Sequence, residues 1–287
     1  MSLFHALDHV IIAVADLEGA GAEYTRLLGR TPSWRGEHPT YGTRNTLFRL
    51  DNTYLELLAV NPEATGPWSD MVRQALDGRA ERPFGMALGV SDVDGAVAVL
   101  RRHGLQVSDP LDGQGVESKS RVQRSWRNAF VAPEGVHGLR LLLIQHQSAP
   151  DRLPIAAFSA DRESACTAVD HVVIFTTDLA AARSLWVDGL GVPEIWNRDF
   201  PERGTRNIGL DLGGITVELI VRTDRTRHDI LHRLWGVAYR VAACERAVER
   251  ARHAGIAIDD PRAGLAPDTH VATVRWERTP TLLLERV

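Results

Sequence analysis

Two histidine–glutamate pairs recur at matching places along this 287-residue chain. His9 lies in Asp8-His9-Val10-Ile11-Ile12 and Glu56 in Tyr54-Leu55-Glu56-Leu57, while His171 lies in Asp170-His171-Val172 and Glu218 in Thr216-Val217-Glu218-Leu219. An imidazole titrates near neutral pH and a carboxylate accepts protons, so the two together suit proton transfer or the binding of a divalent cation. The plainer alternative is a strand histidine held by a backbone carbonyl and a glutamate on a solvent-facing edge. Alternation speaks against an exposed Glu56: Tyr54, Glu56 and Leu58 share one face of the strand, and a carboxylate among apolar neighbours is costly unless paired.

Other polar residues join the candidates. His38, in His38-Pro39-Thr40-Tyr41-Gly42-Thr43, has Phe200 as its counterpart, so it is either a site residue of the first half or a loop histidine. Glu285, after Leu282-Leu283-Leu284, is either a site carboxylate or a surface charge. Asn45 and Asn207, with Trp34 and Trp196, are candidate substrate contacts, although Gly-Thr-Arg-Asn is also turn chemistry. Arg121, Arg124 and Arg127 are positioned to greet an anionic substrate, but read more simply as a solvated strand face.

The elements that position these residues are repeated. Asp8-His9-Val10 returns at Asp170-His171-Val172, Leu28-Gly29 at Leu190-Gly191, Trp34 at Trp196, Gly42-Thr43-Arg44-Asn45 at Gly204-Thr205-Arg206-Asn207, and Glu56 at Glu218, each 162 positions on. A second match, 151 positions apart, pairs Gly85 with Gly236, Gly104 with Gly255 and Asp109-Pro110 with Asp260-Pro261. The 11 residues lost between the two lie after Val60 and Val221, where Pro67 to Leu76 predicts a short helix of the first half alone. Within each half one local pattern occurs twice: a β-branched run, a helix with Asp16, Asp92 or Asp178 as cap, a terminating glycine, then short alternating strands. The fourth helix, Cys244 to His253, lacks a good side-chain cap. The expected fold is α+β, with four βαβββ modules in two tandem domains, residues 1–147 and 165–287, joined by the aperiodic stretch from His146 to Thr167.

The order of strand histidine, Asp-capped helix ending in Leu-Gly, and Glu in Tyr-Leu-Glu-Leu resembles the vicinal oxygen chelate superfamily, of glyoxalase/bleomycin resistance/extradiol dioxygenase type. His38-Pro39-Thr40-Tyr41-Gly42-Thr43-Arg44-Asn45 looks like its glyoxalase-like bacterial group. The resemblance implies paired modules whose strands curl into a cup holding a divalent metal (Mn, Fe, Ni or Zn), with His9, Glu56, His171, Glu218 and Glu285 at ligand positions. It implies catalytic roles for Glu56, Glu285 and His38, and a lyase or isomerase acting on a small oxygenated substrate. Where many relatives place a second strand histidine, Gly85 and Gly236 stand here, which argues against a ring-cleaving dioxygenase and leaves a metal-free, small-molecule-sequestering protein as the alternative. Pairing of adjacent modules, expected from their nearness in sequence, would join Glu285 to His171 and Glu218.

Composition narrows the partners. With 44% hydrophobic and 24% charged residues the chain should fold throughout, and its net charge of −4, without a dense basic cluster, suggests no nucleic acid and no anionic membrane surface. Cys166 and Cys244 show no metal-clamp or redox spacing, and no signal-like start or long apolar run is seen, so a cytoplasmic monomer or homodimer is expected.

Overall fold

The computed structural model describes residues 3–224 and 229–287. The period-two runs are strands and the capped stretches helices, in the order expected. The first module comprises β1 (Ala6–Val14), α1 (Leu17–Leu28), β2 (Trp34–His38), β3 (Thr43–Arg49) and β4 (Tyr54–Val60), followed by the extra helix α2 (Pro67–Leu76). The second comprises β5 (Glu81–Gly89), α3 (Val93–Arg102), β6 (Leu111–Glu117), β7 (Gln123–Phe130) and β8 (Leu141–His146). The third comprises β9 (Ala168–Thr176), α4 (Leu179–Arg183), β10 (Glu194–Phe200), β11 (Thr205–Leu212) and β12 (Ile215–Arg222). The fourth comprises β13 (His232–Arg240), α5 (Cys244–His253), β14 (Arg262–Ala263), β15 (Thr269–Thr273) and β16 (Thr281–Arg286). Helix α4 is shorter than its sequence pattern because it widens into a π-helical turn over Ser184–Gly189.

Local chemistry sets the helix starts. Asp16, Asp92 and Asp178 accept hydrogen bonds from the first-turn amides of α1, α3 and α4. Helix α5 begins at Ala243, which has no side chain for this, and its cap comes from the last strand instead: the Glu285 carboxylate accepts from the Cys244 amide at 2.8 Å. Gln145 does the same for α3, accepting from the Val93 amide at 3.1 Å. Glu285→Ala is therefore expected to destabilise the protein by about 1 kcal/mol in urea unfolding, the usual cost of a lost cap, and to leave ligand affinity in both cups unchanged.

Adjacent modules pair. In the first half the strands close into a barrel in the order β1-β4-β3-β2-β6-β7-β8-β5, sealed by the antiparallel β1–β5 pair and a short β2–β6 contact. In the second half the equivalent strands run β10-β11-β12-β9-β13-β16-β15-β14, and the barrel stays open between β10 and β14. The faces follow parity. Val10, Ile12 and Val14 of β1 join Leu55, Leu57 and Ala59 of β4 beneath the helices, while His9, Ile11, Glu56 and Leu58 turn inward.

The helix-side residues of both halves form one continuous apolar cluster. Polar seams cross the same boundary. The Glu81 carboxylate, fully buried, accepts from Tyr24, from the Thr279 amide and hydroxyl, and from Arg278. Arg30, 1% exposed, donates to the carbonyls of Ala156 and Cys166, and Arg250 donates to those of Arg26 and Leu27. The stretch between the halves folds back on the first module, where Leu153 packs against Trp34, Leu47 and Tyr54. Among the described residues no helix is long and apolar enough to cross a membrane.

Candidate functional site

The barrel of the first half encloses a cup of about 750 Å³, mouth included. Its walls are mostly aromatic and aliphatic. His9, from β1, is 5% exposed and stacks on the Tyr54 ring at 4.4 Å. Its Nδ1 donates to Asp8 at 2.8 Å and its Nε2 lies 3.4 Å from the Glu56 carboxylate of β4. Glu56, 6% exposed, also accepts from the Asn45 amide of β3 at 2.8 Å. The Asn45 amide reaches Nε2 of His38 at 3.1 Å, and Nδ1 of His38 donates to the Thr43 hydroxyl at 2.9 Å. Asp8 is gripped from its other side by His146 of β8, at 2.9 Å. The result is a chain of contacts, His146–Asp8–His9–Glu56–Asn45–His38, laid along the cup wall by five strands.

The charges in that chain hold each other. Burial pushes the His9 imidazole toward its neutral form, but hydrogen bonds and charge from Asp8 and Glu56 outweigh it and raise the pKa to about 9. Burial raises Glu56 too, yet the contacts to His9 and Asn45 and the charge of His9 bring it down to about 2. Asp8 is held well below the carboxylate range against its burial, by His146 and His9. His38 moves the other way: burial lowers its pKa, so it stays neutral. At neutral pH the cup therefore contains an imidazolium beside an ionised carboxylate.

The second cup repeats the pattern in looser form. Asn207 donates to Glu218 at 2.7 Å, His171 Nε2 lies 3.8 Å from Glu218, and His171 Nδ1 contacts Asp170 at 3.1 Å. Asp170 is gripped by Arg240 and Arg286, the latter replacing His146. This cup is wider, about 1780 Å³, because among the described residues nothing closes β10 onto β14 and no equivalent of α2 covers it; Ile195, Trp235 and Leu265 are exposed at its mouth. In the first half α2 lays Trp68, Met71 and Val72 over the opening.

The structure gives each remaining candidate a place. Asn45 lines the first cup, and Trp196 and Asn207 line the second; Trp34 does not reach the first cup and packs instead with Leu47, Tyr54 and Leu153. The indoles of Trp126 and Trp196 lie flat over Gly113 and Gly209 on neighbouring strands, where a Cβ would come within 2.1 Å of the ring. Glu285 lies in neither cup. On β16 the residues facing inward are Leu282, Leu284 and Arg286, while Glu285 points to the helix side and caps α5, so it does not join His171 and Glu218. The register behind the resemblance also shifts: β5 faces His9 with Ala87, and β13 faces His171 with Ala238. Gly85 and Gly236 sit at bulges where a Cβ would strike the carbonyl oxygens of Arg140 and Pro280, at 2.6 and 2.7 Å, so no histidine fits there.

This arrangement tests the metal that the resemblance implies. On the paired module the partner of His9 is Ala87 of β5 and the cup-lining residue of β8 is Ile144, both apolar, and the His38 Nε2 lone pair is taken by Asn45. Among the described residues no group of three or more His, Cys, Asp or Glu side chains is arranged to hold a metal ion. Two donors fall short of the three protein ligands of an ordinary catalytic centre, so these residues do not fit a resident metal. Protein purified without chelators is expected to carry far less than one equivalent of Mn, Fe, Ni or Zn by mass spectrometry of the metals; a stoichiometric ion lost in His9→Ala would sink that expectation.

Three residues the sequence did not single out, Tyr54, Trp126 and Asn128, complete the first cup together with Arg124. Arg124 was grouped with Arg121 and Arg127, but strand parity separates them, since positions 124, 126 and 128 face the cup while Arg127 lies outside, bound to Asp94.

Comparison with known proteins agrees with this geometry. Residues 7–165 match the model of the glyoxalase-like domain, and residues 170–273 match that of the glyoxalase/bleomycin resistance protein/dioxygenase superfamily. No curated protein sequence matches the chain. Among solved structures, a mutant of 4-hydroxymandelate synthase from Streptomyces coelicolor superposes with a TM-score of 0.71 at 16% identity, over 100% of this chain and 93% of that one. A hypothetical protein from Staphylococcus aureus gives 0.65 at 12% identity, over 96% and 97%. The Mn(II)-bound glyoxalase from Novosphingobium aromaticivorans gives 0.64 at 16% identity, over 100% and 83%. With both halves matched and the modules paired as described, the chain belongs to the glyoxalase/bleomycin resistance protein/dioxygenase superfamily, also called the vicinal oxygen chelate superfamily.

Proposed function

We propose that the first cup is the working site of an enzyme that moves a proton beside a carbonyl of a small, mostly apolar, oxygenated molecule, an isomerase or lyase in class. The observation that carries this reading is the His9–Glu56 pair. A desolvated ion pair is expensive to maintain, and it stands at the wall of a cavity where it meets whatever enters. Its 3.4 Å separation is wider than the roughly 2.7–2.9 Å of a tight charged hydrogen bond, so the Nε2 proton is only partly spent on Glu56.

The residues then have separable tasks. A substrate carbonyl oxygen drawn to His9 Nε2 competes with Glu56 for that proton. As the contact loosens, Glu56 becomes more basic and can take a proton from the adjacent carbon, while the imidazolium supports the developing enolate. Asp8 fixes the ring through Nδ1, and Asn45 keeps one carboxylate oxygen in place, leaving the other to react. The aromatic walls and α2 keep water out, which strengthens each of these interactions.

A second reading, a metal-free protein that sequesters its ligand unchanged, draws support from the apolar Ala87 and Ile144. The two separate in D2O. Small aromatic and branched-chain carbonyl compounds that raise the melting temperature are incubated with the protein and followed by proton NMR. Loss of the α-proton signal from a bound compound is expected; binding with every α-proton intact would replace the enzyme reading with sequestration.

A further inference from the structure

We propose that the ligand of the first cup carries a carboxylate on an aromatic or otherwise apolar body, and that Arg124 is the anchor for that carboxylate. The inference rests on the first cup being the ligand site and adds the class of molecule it takes.

Arg124 is unusual among the arginines of its strand. It is 7% exposed, lines the cup, and has its guanidinium carbon 5.6 Å from the Trp34 ring and 5.8 Å from the Tyr54 ring. The Tyr54 phenol is its one hydrogen-bonding neighbour, and no carboxylate pairs with it among the described residues. Arg127, on the outer face of the same strand, is bound to Asp94 and lies near Asp112, and Arg121 lies near Glu37. The two arginines nearer solvent thus have counter-charges they need less, while the buried one lacks the counter-charge it does need.

A buried guanidinium with five donors and one phenol for company is an incomplete site. Its planar fork matches a carboxylate held by two parallel hydrogen bonds, which a ligand would bring. The rings that line the cup around it, Tyr54, Trp126 and Tyr41, define where the rest of that ligand lies, against rings rather than polar groups. His9 stacks on the same Tyr54 ring, so a molecule anchored at Arg124 has its body next to the His9–Glu56 pair.

The duplication supplies an internal control. Trp126 pairs with His146, and Thr269 pairs with Arg286, so the register places Pro267 of the second half where Arg124 stands in the first. His9, Glu56, Asn45 and Trp34 all have duplicates; the arginine does not. It belongs to what distinguishes the closed cup from the open one, together with α2 and His38.

The test uses pairs of probes differing only at the anchor: benzoate, phenylacetate and 3-phenylpropionate, each against its primary amide, in calorimetric titrations of the full chain. At least one acid is expected to bind wild-type protein tenfold or more tightly than its amide. Arg124→Gln should reduce that preference to less than about twofold, and Arg124→Lys, which keeps the charge but not the fork, should fall between. Equal binding of acid and amide by the wild type, or no binding of any of the three acids below 10 mM, overturns the proposal. So does an acid preference that survives in Arg124→Gln. If Arg124→Gln does not fold, the wild-type acid-to-amide ratio and the Arg124→Lys value still decide. Because this readout is affinity, it fails or succeeds apart from the proton-transfer reading, which is tested by exchange at the α-carbon.

Discussion

Glu56→Gln should leave the first cup able to bind its ligand and unable to exchange the α-proton. The amide keeps the shape of the carboxylate and an oxygen for the Asn45 donor, and His9 keeps its bond to Asp8, so affinity should change by less than about tenfold. What disappears is the base. Exchange measured in D2O should fall by roughly 10²- to 10⁴-fold, the usual worth of a positioned general base. Glu218→Gln, the equivalent change in the open cup, should leave that rate untouched. A Glu56→Gln protein that exchanges as fast as wild type would remove Glu56 from the chemistry.

The largest effect on stability is expected far from either cup. Glu81→Ala removes a carboxylate that is wholly buried and satisfied by four contacts, two of them to Thr279 in the other half. Its loss strands the Tyr24 hydroxyl and the Thr279 amide and deprives Arg278 of one of its two carboxylates. Removing one partner from a buried charged network costs about 3–5 kcal/mol, so the urea midpoint should drop sharply. Glu81→Gln, which can still accept from Tyr24 or Thr279, should cost less. A loss below about 1 kcal/mol for Glu81→Ala would show that water or a rearranged Arg278 replaces the carboxylate.

The modules were legible because duplication is a property of sequence itself: the same strand, helix and glycine return four times, three of them with an aspartate cap, and parity along Tyr54-Leu55-Glu56-Leu57-Leu58 announces the inward face of β4. The pairing of adjacent modules followed from their nearness in the chain. Glu285 shows where such reading stops. The run Leu282-Leu283-Leu284-Glu285 gives no sign of which parity faces the cup, and only the β13–β16 register puts Leu284 inside and leaves Glu285 to the helix. Gly85 and Gly236 mislead for a similar reason, because a bulge shifts the face beside them and moves the inward position to Ala87 and Ala238. Arg124 was hidden by its neighbours, since three arginines spaced three apart look like a charged surface until the strand's period of two divides them. The closure of one barrel and not the other depends on whether β2 meets β6, a tertiary event with no signature in either strand.

The continuous apolar cluster beneath the two sheets has a thermodynamic consequence. Residues from both halves share it, and Glu81, Arg30 and Arg250 cross it, so neither half has a separate interior to keep when the other melts. The two halves should unfold together in a single transition. Free energy gained by gripping a ligand in the closed cup then stabilises the whole molecule, the open cup included, by an amount set only by the ligand's concentration and dissociation constant.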